Sequence, residues 1–236
     1  MTVTDELIEM RGLRFHYRDW KPSRPDAPSL ILLHGFTGHA RTWDAFAEAM
    51  TDRYRVLALD QRGHGESGWA SVEAYGVEEM RADLAAFVAA LGLDRFTLLG
   101  LSMGGNVAIH FAGGRPAELA ALVIVDIAPE VEASGAGRIQ ASVRTSDLFD
   151  SKDAAFAAAR AANATPPEAH HRHRIEQSLM RTEDGRWTWR YAPRPARARR
   201  SQGARPRGRM ARRRQYRGPD PFGPRRGLGP GLAGHR

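Results

Sequence analysis

The chain has 236 residues, no Cys and a formal net charge of +8. That length is enough for one domain with a sizeable core, and the missing Cys excludes a disulfide framework and thiol chemistry. No apolar run is long enough to span a bilayer, and the acidic opening MTVTDELIEM lacks the apolar stretch of a secretory leader, so a cytoplasmic location is expected.

The positive charge is unevenly placed. Residues 192–236 hold 14 Arg and a single acid, Asp220, for a net +13, which leaves −5 on the first 191 residues. A basic-partner reading, nucleic acid included, therefore applies only to that tail.

In chain order, LIEMRGLRFHYRDW reads as two strands around Arg11-Gly12. SLILLHGF is a continuous apolar run ending in a glycine turn, the pattern of a strand buried on both faces. TWDAFAEAM has helical spacing, and RVLALDQRGHGES is a strand running into a Gly-rich loop. VEEMRADLAAFVAALGL is an amphipathic helix closed by Gly92. RFTLLGLSMGG is a strand entering a tight turn, NVAIHFAGG the next helix, and LAALVIVDIAPE a further buried strand ended by Pro129. Repeated strand–helix units with apolar strands predict a mostly parallel α/β sheet. From about Glu130 to Tyr191 the pattern becomes Ala-rich and helical, with GRWTWRY as a short strand. The chain thus divides into a core over 1–129, a helical lid over 130–191 and a disordered Arg/Pro/Gly-rich tail over 192–236.

GLSMGG contains the G-x-S-x-G pentad Gly100 to Gly104. It follows an apolar strand and precedes a helix, the context a nucleophile elbow requires. Small residues let the strand turn sharply, which holds Ser102 exposed at the carboxyl end of the sheet. The helix N-terminus adds positive potential for a developing oxyanion. LHGFTG follows the third strand, DQRGHGES the fourth and VDIAPE the sixth.

With these motifs, in this order, residues 7–191 resemble the α/β-hydrolase fold proteins, and within them the small serine esterases. The resemblance implies Ser102 as nucleophile, the backbone N–H groups of Phe36 and Met103 as oxyanion donors, and Asp126 as the acid of the triad. It implies a small-molecule acyl substrate, no cofactor and no metal. His34 and His64 read as structural. His170, His171 and His173 read as the solvated face of a helix. A Ser nucleophile argues against the branches of this fold that use Asp there. A same-fold lyase or C–C bond hydrolase stays open, as does a non-enzymatic remnant with a basic tail.

The resemblance also requires a His base in a Gly-His loop after an eighth strand, and no strand–helix unit precedes His235. The tail is too poor in apolar residues, and too rich in Pro, to build a core. It has the composition of a phosphate-neutralising arm, with Tyr216 and Phe222 able to stack on bases. A one-nucleotide frame change between Tyr191 and Pro206 explains the tail and the missing strands together. With suitable synonymous codons, the sequence from Pro206 re-reads as an apolar strand, PTLLVRG, and then an Asp-rich loop. The expectation is a frameshifted segment from about residue 192, an uncovered sixth strand and a hydrolase impaired by loss of its His.

Overall fold

The computed structural model describes residues 2–127 and 148–191. Strand β1 (Val3–Met10) and strand β2 (Leu13–Trp20) form an antiparallel hairpin. Both residues of its turn, Arg11 and Gly12, have positive φ, 48° and 77°. That is the primed turn whose twist matches the flanking strands. Strands β3 (Ser29–Leu33), β4 (Arg55–Leu59), β5 (Phe96–Leu101) and β6 (Leu119–Val125) complete a six-stranded sheet in the order β1-β2-β4-β3-β5-β6. β2 meets β4 antiparallel, and β3 lies parallel between β4 and β5.

The central strands are apolar on both faces because both faces are covered. Leu30, Leu32, Val56 and Ala58 join one cluster with Ala40 and with Ala47 of helix α1 (Asp44–Met50). Their alternating neighbours Leu33 and Leu59 face the other way, toward Met80 and Leu84 of helix α2 (Val77–Ala90) and Val107 of helix α3 (Met103–Gly113). Each residue of β3 after Ser29 is therefore buried. Helix α2 ends where Gly92 takes a φ of 60°, as the sequence predicts.

A buried ion network ties α2 to the loop after β4. Arg62, 3% exposed, grips Asp83 with Nε–Oδ2 at 2.5 Å and Nη2–Oδ1 at 2.7 Å. Arg11 adds a 2.8 Å contact to the same carboxylate from the β1–β2 turn.

Residues 148–191 carry helix α4 (Lys152–Ala162), helix α5 (Glu168–Ser178) and the antiparallel hairpin of strands β7 (Leu179–Arg181) and β8 (Trp187–Trp189). Ser151 Oγ caps α4 by accepting from the Ala154 N–H at 3.1 Å. Ala155, Ile175 and Leu179 form a small core there, with Phe149, Phe156, Trp187 and Trp189 packed around it. One expectation fails here. His170 and His173 are exposed, but His171 is 3% exposed and set edge-on to Phe156. It shares the buried stripe of α5 with Ile175 and Ser178, four and seven residues on, so helical spacing puts one of the three histidines inside.

Among the described residues β6 is the last strand of the sheet, and its outer edge is unpaired. Leu122, Val123 and Val125 are 38%, 42% and 39% exposed. Among the described residues, a sequence with the character of a doubly buried strand is thus partly exposed. No helix among the described residues is long and apolar enough to cross a membrane. The second half of the VDIAPE motif, the first part of the expected lid and the whole basic tail lie outside the described residues.

Candidate active site

Ser102 sits between β5 and α3 with φ 49° and ψ −112°, a conformation that costs a non-glycine residue about 1–3 kcal/mol. The surrounding backbone holds it there. Its N–H donates to the Val125 carbonyl at 2.8 Å, and its own carbonyl accepts from Asn106 N–H at 2.9 Å. The flanking glycines have no room for a side chain. A Cβ on Gly100 would lie 2.4 Å from the Gly104 carbonyl oxygen, and one on Gly104 would lie 2.5 Å from that of Leu33. The G-x-S-x-G spacing is thus what lets β5, β3 and the start of α3 touch backbone to backbone.

The LHGFTG loop passes directly beside the serine. A Cβ built on Gly35 would stand 3.4 Å from Ser102 Cβ. Gly38 N–H donates to the Gly35 carbonyl at 2.9 Å, closing a tight turn in which Thr37 adopts a φ of 66°. Met103 opens α3, so its N–H is among the helix's unsatisfied first donors and lies at the positive end of the dipole. Asp126 follows β6, next to Val125, which pairs with Leu101. It is exposed, with a φ of 57°. The four residues singled out by sequence therefore converge on the carboxyl ends of β3, β5 and β6.

Behind them lies a layer of buried polar groups from the DQRGHGES loop. Burial alone would raise the pKa of Asp60, but its bond to His16 Nδ1 at 2.7 Å and the nearby histidines hold it below the ordinary carboxylate value. Asp60 also accepts from the N–H groups of Ala40 at 2.5 Å and Glu66 at 2.9 Å. Gly65, with a φ of 55°, lies so close that a Cβ there would overlap the Asp60 carboxylate at 2.0 Å. Burial would lower the pKa of His16, yet the hydrogen bond and charge of Asp60 raise it, with Asp5 on the ring's other nitrogen at 3.0 Å.

His34 has the opposite character. It is fully buried, and burial followed by repulsion from His64 depresses its pKa to about 3. Gln61 N–H donates to its Nε2 at 3.0 Å, so its proton is on Nδ1, which donates to the Gly35 carbonyl at 2.9 Å. His64, depressed chiefly by burial, donates from Nδ1 to the Arg62 carbonyl at 3.0 Å. His39 Nε2 bonds Ser178 Oγ at 3.0 Å. His110 lies on the surface, 3.2 Å from Glu78. Among the described residues no histidine hydrogen-bonds the Ser102 hydroxyl.

Sequence reasoning missed the attachment of the 148–191 segment to this site. Tyr191 forms a β-bridge with His64, and the Arg190 carbonyl accepts from Gly65 N–H at 2.8 Å. Aromatic rings run continuously from Phe36 to Tyr191 (5.8 Å), Trp189 (5.9 Å) and Phe149 (5.6 Å). The aromatic density of GRWTWRY was the available signal, but its partners at the site, Phe36, His64 and Gly65, are more than a hundred residues away in the chain.

A parallel sheet clad by helices, a strained serine on a strand–helix elbow and a glycine loop beside it define a hydrolase-type α/β architecture. The chain matches the family model described as alpha/beta hydrolase fold over residues 28–218, and it belongs to that family. It is 40% identical over 131 residues to the N-formylmaleamate deformylase of Pseudomonas putida, covering 56% of this chain and 46% of that protein. It is 30% identical over 178 residues to lipase LipV of Mycobacterium tuberculosis, covering 74% of this chain and 66% of that one. The matched segment thus spans about half to two thirds of those relatives. Among solved structures, an α/β hydrolase from Novosphingobium aromaticivorans superposes with a TM-score of 0.73 at 27% identity, over 80% of this chain and 68% of that one.

Proposed function

We propose that the chain is a serine hydrolase of carboxylic esters or related acyl compounds. Ser102 attacks the acyl carbon, the N–H groups of Phe36 and Met103 receive the oxyanion, and Asp126 orients the base. The observation that carries this reading is the backbone of Ser102, held in a costly conformation by glycine contacts that leave no alternative. The lipase and deformylase similarities support an acyl substrate. The 148–191 segment, joined to the Phe36 loop by the ring series, covers the acyl pocket as a lid.

Among the described residues the histidines bonded elsewhere do not supply the base, and we infer a turnover impaired by loss of that His. In a triad the base takes the serine proton and returns it to the leaving group. Without it, the oxyanion donors and binding leave about 10³–10⁴-fold acceleration over water. The test is the rate at which a fluorophosphonate labels Ser102, with Ser102→Ala as control, beside acid release from a panel of simple esters and an N-formyl amide. Slow, Ser102-dependent labelling supports an impaired serine hydrolase. Labelling at an ordinary rate overturns the impairment, and labelling that survives Ser102→Ala overturns the nucleophile. The frame change proposed for the tail is tested separately, by resequencing the coding DNA from the Trp187 codon onward.

A further inference from the structure

We infer that Gln61 is a positioning residue that aims the Phe36 N–H, acting through His34. The inference rests on the reading that Phe36 supplies an oxyanion donor. A peptide unit is planar and trans, so the Phe36 N–H points opposite to the Gly35 carbonyl. That carbonyl accepts from two donors, His34 Nδ1 at 2.9 Å and Gly38 N–H at 2.9 Å. His34 can donate from Nδ1 only while Nε2 is the acceptor, and the Gln61 N–H at 3.0 Å enforces that tautomer. The Gln61 side chain pins the preceding peptide unit as well: its Nε2 donates to the His34 carbonyl at 2.7 Å. Two consecutive peptide planes are thereby fixed from position 61, the Gly35–Phe36 plane by its backbone N–H through the His34 ring and the His34–Gly35 plane by the Gln61 side chain.

Stability alone explains this residue poorly. Gln61 is 3% exposed, and its Oε1 is buried with no hydrogen-bond partner among the described residues. A buried, unpaired oxygen costs stability, which offsets much of what the one good bond contributes. An apolar replacement of similar size should therefore leave the fold intact and keep the backbone N–H bond to His34 Nε2, while it removes the side-chain bond that holds the His34–Gly35 peptide plane from which the Phe36 N–H takes its direction.

The test uses the unaltered chain and Gln61→Leu. Nitrogen NMR of the unaltered chain should show His34 as the Nδ1–H tautomer; an Nε2–H ring overturns the proposal, whatever the variant does. In Gln61→Leu, the Phe36 amide resonance should shift, and the maximal rate of fluorophosphonate labelling should fall about 10- to 100-fold. The half-saturating concentration should stay within about twofold, because an oxyanion donor acts in the transition state. An unmoved Phe36 amide, or a loss confined to the half-saturating concentration, overturns the positioning role. If Ser102 of the unaltered chain is never labelled while the tautomer and the amide shift are as stated, the hydrolase reading falls and the clamp stands. If labelling is robust and Gln61→Leu leaves it unchanged, the positioning role of the Gln61 side chain falls and the hydrolase reading stands.

Discussion

The buried His34 makes the stability of this chain depend on pH in a calculable way. Its folded pKa is about 3, set by burial and by His64. In the unfolded chain it returns to about 6.5. A group depressed by folding contributes stability that is present above its unfolded pKa and is lost as pH falls toward its folded pKa. Between pH 7.5 and pH 5 the unfolded state gains a proton at His34 that the folded state refuses. At about 1.4 kcal/mol per pH unit below 6.5, the loss at pH 5 is about 2 kcal/mol from this side chain. His39 and His64, also depressed chiefly by burial, act in the same direction. His16, raised by Asp60 against its burial, acts oppositely: its contribution is full below pH 6.5 and is lost as pH rises through its folded value. Urea unfolding of the unaltered chain and of His34→Asn at pH 7.5 and pH 5 isolates the term. The unaltered chain should lose about 2 kcal/mol more than the variant on acidification. Equal losses would show that His34 is not held neutral, and the tautomer assigned to it would fall with that result.

Other substitutions probe the backbone contacts, the ion network and the open edge. Gly104→Ala forces a Cβ to within 2.5 Å of the Leu33 carbonyl oxygen, whereas Gly113→Ala meets nothing within 4 Å. Chemical denaturation should show a loss of about 3 kcal/mol or more for the first and a gain of about 0.5–1 kcal/mol for the second. Asp83→Ala removes the bidentate partner of the buried Arg62, leaving it the Ala74 carbonyl and Glu79 at 3.6 Å, and should cost about 3 kcal/mol by the same assay. Val123→Lys puts a charge on an exposed position of β6, so light scattering should fall at equal concentration while the urea midpoint stays put. A loss of unfolding free energy above about 1 kcal/mol would show that β6 is covered in solution.

Much of this architecture was legible because the sheet is local in sequence. The apolar runs Ser29–Leu33, Arg55–Leu59 and Phe96–Leu101 became strands in place, and the pentad around Ser102 announced its elbow. What stayed hidden was either non-local or positional. His39 bonds Ser178, 139 residues away, and no period in the chain encodes that pairing. LAALVIV reads as a doubly buried strand, and the expectation that it is uncovered came from the tail and not from its own residues, because composition does not record which neighbour covers a strand. Among the described residues it stands at the edge with Val123 exposed. His171 was misread because three nearby histidines suggest a polar face, while a 3.6-residue period sends only one of them inward.

The parts of the proposed chemistry differ in how they are built, and that difference decides what can survive in this chain. Presentation of Ser102 and the two oxyanion donors are backbone geometry. They are fixed by glycine contacts, by the Gly35–Gly38 turn and by the Gln61–His34 bonds, all within the described residues. The base is a side chain, and the described histidines are committed elsewhere, His110 to Glu78 on the surface among them, or lie on α5. A preorganised oxyanion site keeps its electrostatic value without a base, because its dipoles need no proton transfer to act. Binding of a tetrahedral or oxyanion mimic such as a boronic acid should therefore persist where turnover is weak, and it should weaken in Gln61→Leu. Parallel loss of turnover and of mimic binding in the unaltered chain would instead mean that the loop beside Ser102 is not held in the geometry described.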